Sequence, residues 1–143
     1  MKRVGLPILA LHAAARVAFR AMTPMRATRA INRLAGWLPK LRSVDEARRA
    51  AWLLDGRGTC LTRAATIAAL TPGSEVVIGV DAKRSTRLRA HAWVVVNGER
   101  LEFSAEDAPF MPVASLGRND VDRKRALKNA RLGVFSPGRW RIG

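Results

Sequence analysis

The sequence contains a single cysteine, Cys60, only two histidines and no tyrosine. One cysteine excludes an internal disulfide and suits a reducing compartment, where the thiol is either small core filler or a reactive group. Two histidines and one cysteine provide no cluster of metal ligands, and no glycine-rich phosphate-binding loop is present. We therefore expect neither a metal nor another cofactor.

Long apolar segments are also missing. No run approaches the roughly 18 apolar residues that a membrane span requires. Residues 1–15 have the basic start and small residues of a signal peptide, but His12 interrupts the apolar run and Arg16 and Arg20 continue a helical pattern. We therefore expect an amphipathic first helix, no transmembrane segment and a cytoplasmic protein.

Acidic residues are scarce. The chain has 26 basic and 11 acidic residues, for a formal net charge of +15. This imbalance attracts nucleic acid, anionic membranes or acidic peptides, and so indicates the charge of a partner rather than its identity. With 143 residues, of which 48% are hydrophobic, the chain can bury the core of one compact domain.

Apolar periodicity and capping signals predict four helices. The first covers residues 6–22, and the second begins at Thr23-Pro24 and ends near Gly36. Ser43 and Glu46 form a capping box for a third helix that runs to Gly56. The fourth helix begins at Cys60, is capped by Thr59, and ends at 71–73.

The pattern then becomes typical of strands. Strands are predicted over 76–80, 89–96 and 99–104, and Asn97-Gly98 favours a type I′ hairpin turn between the last two. The tail is weakly patterned, with a short basic helix expected over 121–132. We predict an α+β fold in which N-terminal helices (1–55) and a core (56–143) form one compact domain, with a small antiparallel sheet packed on the Cys60 helix.

Cys60 and His91 are the candidate catalytic pair. The first turn of a helix favours a thiolate, and its free amides can stabilise an oxyanion, while an imidazole on a strand can serve as general base. The hairpin register places Glu102 opposite Trp93 and diagonal to His91, so Glu102 is the first candidate to orient the imidazole and Asp107 the second. The alternative is structural: a lone cysteine in an alanine-rich helix is usually buried filler, and His91 can be a core histidine.

Three ordered segments resemble one family. Residues 90–94 with Asn97-Gly98 resemble the "HAWVE…G" segment of the transglutaminase-like superfamily. Residues 56–64 resemble the "GR-x-x-CL-x-RA" nucleophile segment of one branch, and residues 77–80 resemble its "LVIGV" strand. That branch is the protease, or B protein, of lasso-peptide biosynthesis. The resemblance covers 56 to about 104, with helices of similar character before it.

The resemblance implies a cysteine protease that cleaves the leader from a ribosomally made precursor peptide. Cys60 would be the nucleophile, His91 the acid–base and Glu102 the orienting group. An ATP-dependent cyclase would then close the macrolactam. Because the stretch before Cys60 reads as helices without strands, leader recognition would belong to a separate protein. The sequence departs from the family at Phe103, where an aspartate is common, and in a nucleophile helix about one turn shorter than usual.

Two other functions fit parts of the sequence. One is a basic nucleic-acid-binding module in which Cys60 and His91 are core residues, although we expect no nucleic-acid partner. The other is a transglutaminase-like amidase or acyltransferase, which keeps the dyad and replaces water by an amine.

Overall fold

Helices precede strands along the chain, as the change of periodicity predicts. A computed structural model describes residues 5–81, 90–101 and 110–116. The elements are α1 (Gly5–Ala21), α2 (Pro24–Ala35), α3 (Val44–Leu53), α4 (Cys60–Leu70), β1 (Ser74–Asp81), β2 (Ala90–Val96), β3 (Glu99–Leu101) and β4 (Phe110–Leu116). The strands form one antiparallel sheet in the order β3-β2-β1-β4. The predicted α+β class is confirmed.

The helices begin where their capping residues predict. The Ser43 hydroxyl accepts a hydrogen bond from the Glu46 amide at 3.1 Å, as in a capping box, but the Glu46 carboxylate accepts from the amide of Arg42 rather than from that of Ser43. Thr23 occupies the N-cap position of α2 without a side-chain capping bond. The third helix ends at Leu53, earlier than predicted. The Gly56 amide donates to its neighbour's carboxylate and Gly56 adopts a φ of 69°, which an α-helix cannot accommodate.

Helix α4 is the centre of the core. It packs against α1, α2 and α3 and against strands β1 and β2. Four of its eleven residues are alanine, and a small side chain lets the neighbouring helices approach closely. Ile67 is fully buried, together with Ile31 of α2, Leu54 and Val94 of β2. One hydrophobic cluster therefore includes residues from the N-terminal helices, from α4 and from the sheet.

The carbonyl ends of α2 and α4 meet at Lys40. Its ammonium group donates to the carbonyl of Ala35 at 2.6 Å and to that of Ala69 at 3.2 Å. The amide of Leu41 donates to the carbonyl of Leu70 at 2.8 Å. A cation and an amide thus satisfy carbonyl groups that a helix leaves unpaired at its C-terminus.

The β2–β3 hairpin has the predicted register. Asn97 and Gly98 have φ values of 52° and 81°, which a type I′ turn requires, and Val96 pairs with Glu99. The described part of the return strand is Glu99–Leu101. The rest of the predicted strand, and the predicted helix over 121–132, lie outside the described residues.

Strand β4 was not predicted. It pairs with β1 along the sheet edge opposite β3, with a shift of register between Ile78 and Gly79. Pro112 lies in its middle, and a proline weakens the sequence pattern of a strand. A proline is tolerated at this position because β4 is an edge strand of the described sheet.

The two faces of the sheet have different neighbours. Val76, Ala92, Val94 and Val96 belong to the core that contains the helices. Trp93 clusters with Val77 and Val95 on the other face. The described helices include none that is both long enough and apolar enough to cross a membrane.

Candidate active site

Cys60 is the first residue of α4, as the sequence predicts. The amide of Thr62 donates to the Thr59 hydroxyl at 3.2 Å, and the amide of Thr59 donates to the Thr62 hydroxyl at 3.0 Å. This reciprocal capping box fixes the residue on the N-terminal side of Cys60 and the residue two positions after it. The sequence therefore determines where the helix starts and where the half-buried thiol lies.

The capping box also determines which amides of the first turn remain available. The Thr62 amide is occupied by the cap, and the Arg63 amide donates to the Thr59 carbonyl at 3.1 Å. In the described part of the chain, the amides of Cys60 and Leu61 have no acceptor. They lie at the positive end of the helix dipole, so they are suited to stabilise negative charge on a sulfur or on an oxyanion.

An ion pair supports the segment before the thiol, which we call the nucleophile turn (residues 55–60). The Arg63 guanidinium lies 3.2 Å from the Asp55 carboxylate, and its side chain is only 13% exposed. The same carboxylate accepts the Gly56 amide at 2.9 Å. Asp55 therefore joins the start of the turn to the first turn of α4.

His91 is the second residue of β2 and is buried. Its ring stacks on that of Trp93, with 6.3 Å between centroids and 24° between planes. The Arg100 guanidinium lies 4.3 Å from the centroid of the Trp93 ring, in a cation–π contact. The imidazole is thus part of a stack on the sheet face away from the helices.

The ideal rise of a helix and of a strand allows the level of Cys60 along the sheet to be compared with that of His91. Three residues separate α4 from β1, so helix and strand run in opposite directions. The helix rises about 15 Å from its last residue to its first, which corresponds to four or five strand residues. By this estimate the thiol end of α4 is expected at about the level of Ala92, which is adjacent to His91 and pairs with Ile78.

The two side chains contact different surroundings. Cys60 borders the core that contains the helices, whereas His91 contacts Trp93 on the other face. No hydrogen bond joins Cys60 to His91 in the described structure. Their catalytic pairing stays a prediction. Glu102 and Asp107, the candidates for the orienting group, lie outside the described residues.

A second histidine near the thiol was missed. His12 interrupts the apolar run of the sequence, yet the residue is only 3% exposed, and Nδ1 lies 3.3 Å from the Thr66 hydroxyl. Burial lowers the pKa of His12 below 6.5, and nearby Arg16 and Arg63 lower it further, whereas hydrogen bonding to backbone groups of the turn and α4 opposes the shift. Its position four residues after Ile8, on the buried face of α1, was the available signal.

The described segments contain no group of three or more histidine, cysteine, aspartate or glutamate side chains that could hold a metal ion. Around the thiol, these segments bring together the amides of the first turn and, across Gly58, the His12 imidazole.

Comparison with known proteins identifies the family. The model of the transglutaminase-like superfamily matches residues 3–115, a stretch that contains α1 to α4, both histidines and Cys60. No curated protein and no solved structure gave a significant match. Proteins of this superfamily are generally cysteine peptidases or acyltransferases. Since the match covers most of the 143 residues, the chain belongs to the transglutaminase-like superfamily.

Proposed function

We propose that the protein is a cysteine peptidase that removes the leader from a lasso-peptide precursor. The observation that carries this proposal is the place of the only cysteine. It is the first residue of a capped helix, with two free amides beside it, inside a transglutaminase-like domain. The resemblance of residues 56–64, 77–80 and 90–98 to the lasso-peptide protease supports the narrower assignment.

The proposed reaction proceeds through an acyl-enzyme. In the first step His91 takes the thiol proton, which requires its imidazole to move from the stack with Trp93 to the thiol. The Cys60 sulfur then attacks the carbonyl carbon of the leader–core bond. The amides of Cys60 and Leu61 donate to the resulting oxyanion. The tetrahedral intermediate collapses as the imidazolium gives its proton to the leaving amine, which frees the core peptide. A water molecule, deprotonated by His91, then hydrolyses the thioester and releases the leader and the thiol.

The third catalytic position remains part of the proposal. We propose Glu102 as the first candidate to orient the His91 ring. The observed pairing of Val94 with Leu101 supports the hairpin register from which this candidate was chosen. Asp107 is the second candidate. A carboxylate in this role holds the imidazole in the tautomer that accepts the thiol proton.

A cationic surface supports an acidic substrate or partner. The outer faces of α1 and α2 expose five arginines, and none of their guanidinium groups forms an ion pair within the described segments. They are Arg16, Arg20, Arg26, Arg29 and Arg33. No acidic residue occurs before Asp45. We propose that this surface attracts an acidic leader or the acidic face of a leader-recognition protein.

The cellular setting follows from the same proposal. The protease would act in the cytoplasm on a leader presented by a separate recognition protein. An ATP-dependent macrolactam cyclase would then consume the freed core peptide. Cleavage would have to come before cyclisation, because it creates the new amino terminus of the core peptide and the cyclase must acylate that amine.

A cleavage assay tests the proposal. The precursor and its recognition protein are incubated with the wild-type enzyme, Cys60→Ala or Cys60→Ser, and mass spectrometry measures the leader and core fragments. We expect wild-type cleavage and a loss of at least about 100-fold in both variants. Arg57→Gln, at an exposed residue of the same turn, is the control for indirect effects. Cleavage by Cys60→Ala at the wild-type rate would reject Cys60 as nucleophile.

The same samples separate the alternatives. An added primary amine that appears covalently attached to the leader carboxyl, in place of a free acid, would indicate an acyltransferase. Salt-sensitive binding to an arbitrary DNA duplex without any cleavage would favour the nucleic-acid-binding module.

A further inference from the structure

We propose that His12 is a positioning residue for the nucleophile turn. Its neutral ring, protonated on Nδ1, holds α1 against the first turns of α4 and keeps Cys60 in its reactive place. The inference rests on the proposed role of Cys60 as nucleophile, and it adds a second histidine that acts through the turn without touching the substrate.

The hydrogen bonds determine the tautomer. The Thr66 hydroxyl donates its only hydrogen to the carbonyl of Thr62 at 2.7 Å. Its 3.3 Å contact with His12 must therefore use a hydrogen on Nδ1. In the neutral ring the other nitrogen, Nε2, then carries a lone pair. The chain of hydrogen bonds His12–Thr66–Thr62 connects α1 to the capping box that flanks Cys60.

The Nε2 side of the ring closes on the nucleophile turn. A Cβ atom at Gly58 would lie 3.0 Å from Nε2 and 3.2 Å from Cε1, so only a glycine leaves room for the imidazole. Nε2 is buried and has no hydrogen-bond partner of ordinary geometry in the described structure. Gly58 is two residues before Cys60. A movement of the ring would therefore shift the backbone of the nucleophile turn and with it the position of the thiol.

The surroundings oppose a positive charge on this ring. Arg16 of α1 and Arg63 of α4 are the charged groups that act on it, and both disfavour the imidazolium. Within the described residues, α2 and α3 add no charged group, while backbone groups of Arg57 and Thr62 partly offset the two cations. The positive end of the α4 dipole lies nearby as well. Proton uptake thus places a charge in a desolvated site, which favours release of the ring and rearrangement of the turn.

The single cysteine makes a direct test possible. Alkylation by iodoacetamide, followed by intact mass, reports on Cys60 alone and needs neither precursor nor partner. Ionisation of one thiol gives a slope of about one in a plot of log rate against pH. For the wild type we expect a steeper fall below pH 6.5, because a second proton then disorders the turn. His12→Asn cannot take up that proton and should lose the extra steepness.

Two arginine variants sharpen the test. Arg16→Gln removes a cation that opposes protonation of His12, so the steep region should move to higher pH. Arg20→Gln, one turn further along the same exposed face and not among the groups that act on His12, should leave the steep region in place. Parallel profiles for the wild type and His12→Asn, or equal shifts in the two arginine variants, would overturn the proposal.

A further variant keeps the test decisive if His12→Asn does not fold. Thr66→Val removes the acceptor of the Nδ1 hydrogen and preserves the volume of the side chain. Because His12 then loses this hydrogen bond, the rate of Cys60 alkylation should be lower than in the wild type at every pH. An alkylation rate equal to that of the wild type would contradict the inference. The proposed protease function fails separately, through cleavage by Cys60→Ala, and that result would leave the alkylation profiles unchanged.

Discussion

The side chains of Thr59 and Thr62 each accept a hydrogen bond from the backbone amide of the other, at 3.2 and 3.0 Å. We expect Thr59→Ala to lower the free energy of unfolding by about 1 kcal/mol, because the start of α4 loses its side-chain cap. Thr23 is the matched control, since it occupies the N-cap position of α2 without a capping bond. Urea denaturation of the two alanine variants should therefore give a clearly larger loss for Thr59, and equal losses would contradict the role of the capping box.

His91→Gln should remove general acid–base catalysis while keeping a side chain of similar reach. We expect the single-turnover rate of leader cleavage to fall by about 10² to 10⁴-fold. Thermal melting should be followed in parallel, because the ring also stacks on Trp93 at 6.3 Å between centroids. A variant that melts like the wild type and cleaves at the same rate would exclude His91 as the base.

His12 should make stability depend on pH. Its pKa in the folded protein lies below the unfolded value of 6.5, so between these two values the unfolded chain binds more protons. The stabilisation that the neutral His12 ring gives the folded protein is therefore fully present above pH 6.5. It is lost as the pH falls through the pKa of His12 in the folded state. Urea denaturation at pH 8, 6.5 and 5 should show a larger loss for the wild type than for His12→Asn. Identical losses would show that the ring titrates as it does in the unfolded chain.

The two glycines of the nucleophile turn differ in the space available for a side chain. Gly56 and Gly58 both have positive φ values, 69° and 65°, so an alanine at either costs about 1 kcal/mol in the left-handed region. Nothing lies within 4 Å of a Cβ at Gly56, whereas one at Gly58 meets the Thr62 hydroxyl at 2.7 Å and the His12 ring. Gly58→Ala should therefore destabilise the protein more than Gly56→Ala and should also slow alkylation of Cys60. Equal effects on both measurements would count against close packing at Gly58.

The sequence was most informative where local chemistry decides the structure. The starts of α3 and α4 follow from hydroxyl caps, and the β2–β3 register follows from Asn97-Gly98, whose positive φ values set the turn. These features depend on neighbouring residues, so spacing alone reveals them.

Features that depend on distant contacts were less accessible. Strand β4 exists because residues from 110 onward pair with β1, and Pro112 hides that pairing from a periodicity analysis. The burial of His12 against Thr66 joins positions 54 residues apart, so spacing could suggest a buried face but not the partner. For the site, the sequence predicted that Cys60 starts a helix and that His91 lies on a strand, and both are confirmed. Whether the two meet depends on how the helix and sheet are arranged in space.

Lys40 joins the last turns of α2 and α4 through one ammonium group. The ends of the two helices are therefore coupled. When one end opens, the Lys40 ammonium loses one of these two carbonyl acceptors and is held less firmly at the other. Amide exchange near Ala35 and Ala69 should then be correlated, and acetylation of this one amine would loosen both helix ends together. A single covalent change at Lys40 would thus destabilise the C-terminus of α4, the helix whose N-terminus carries the thiol.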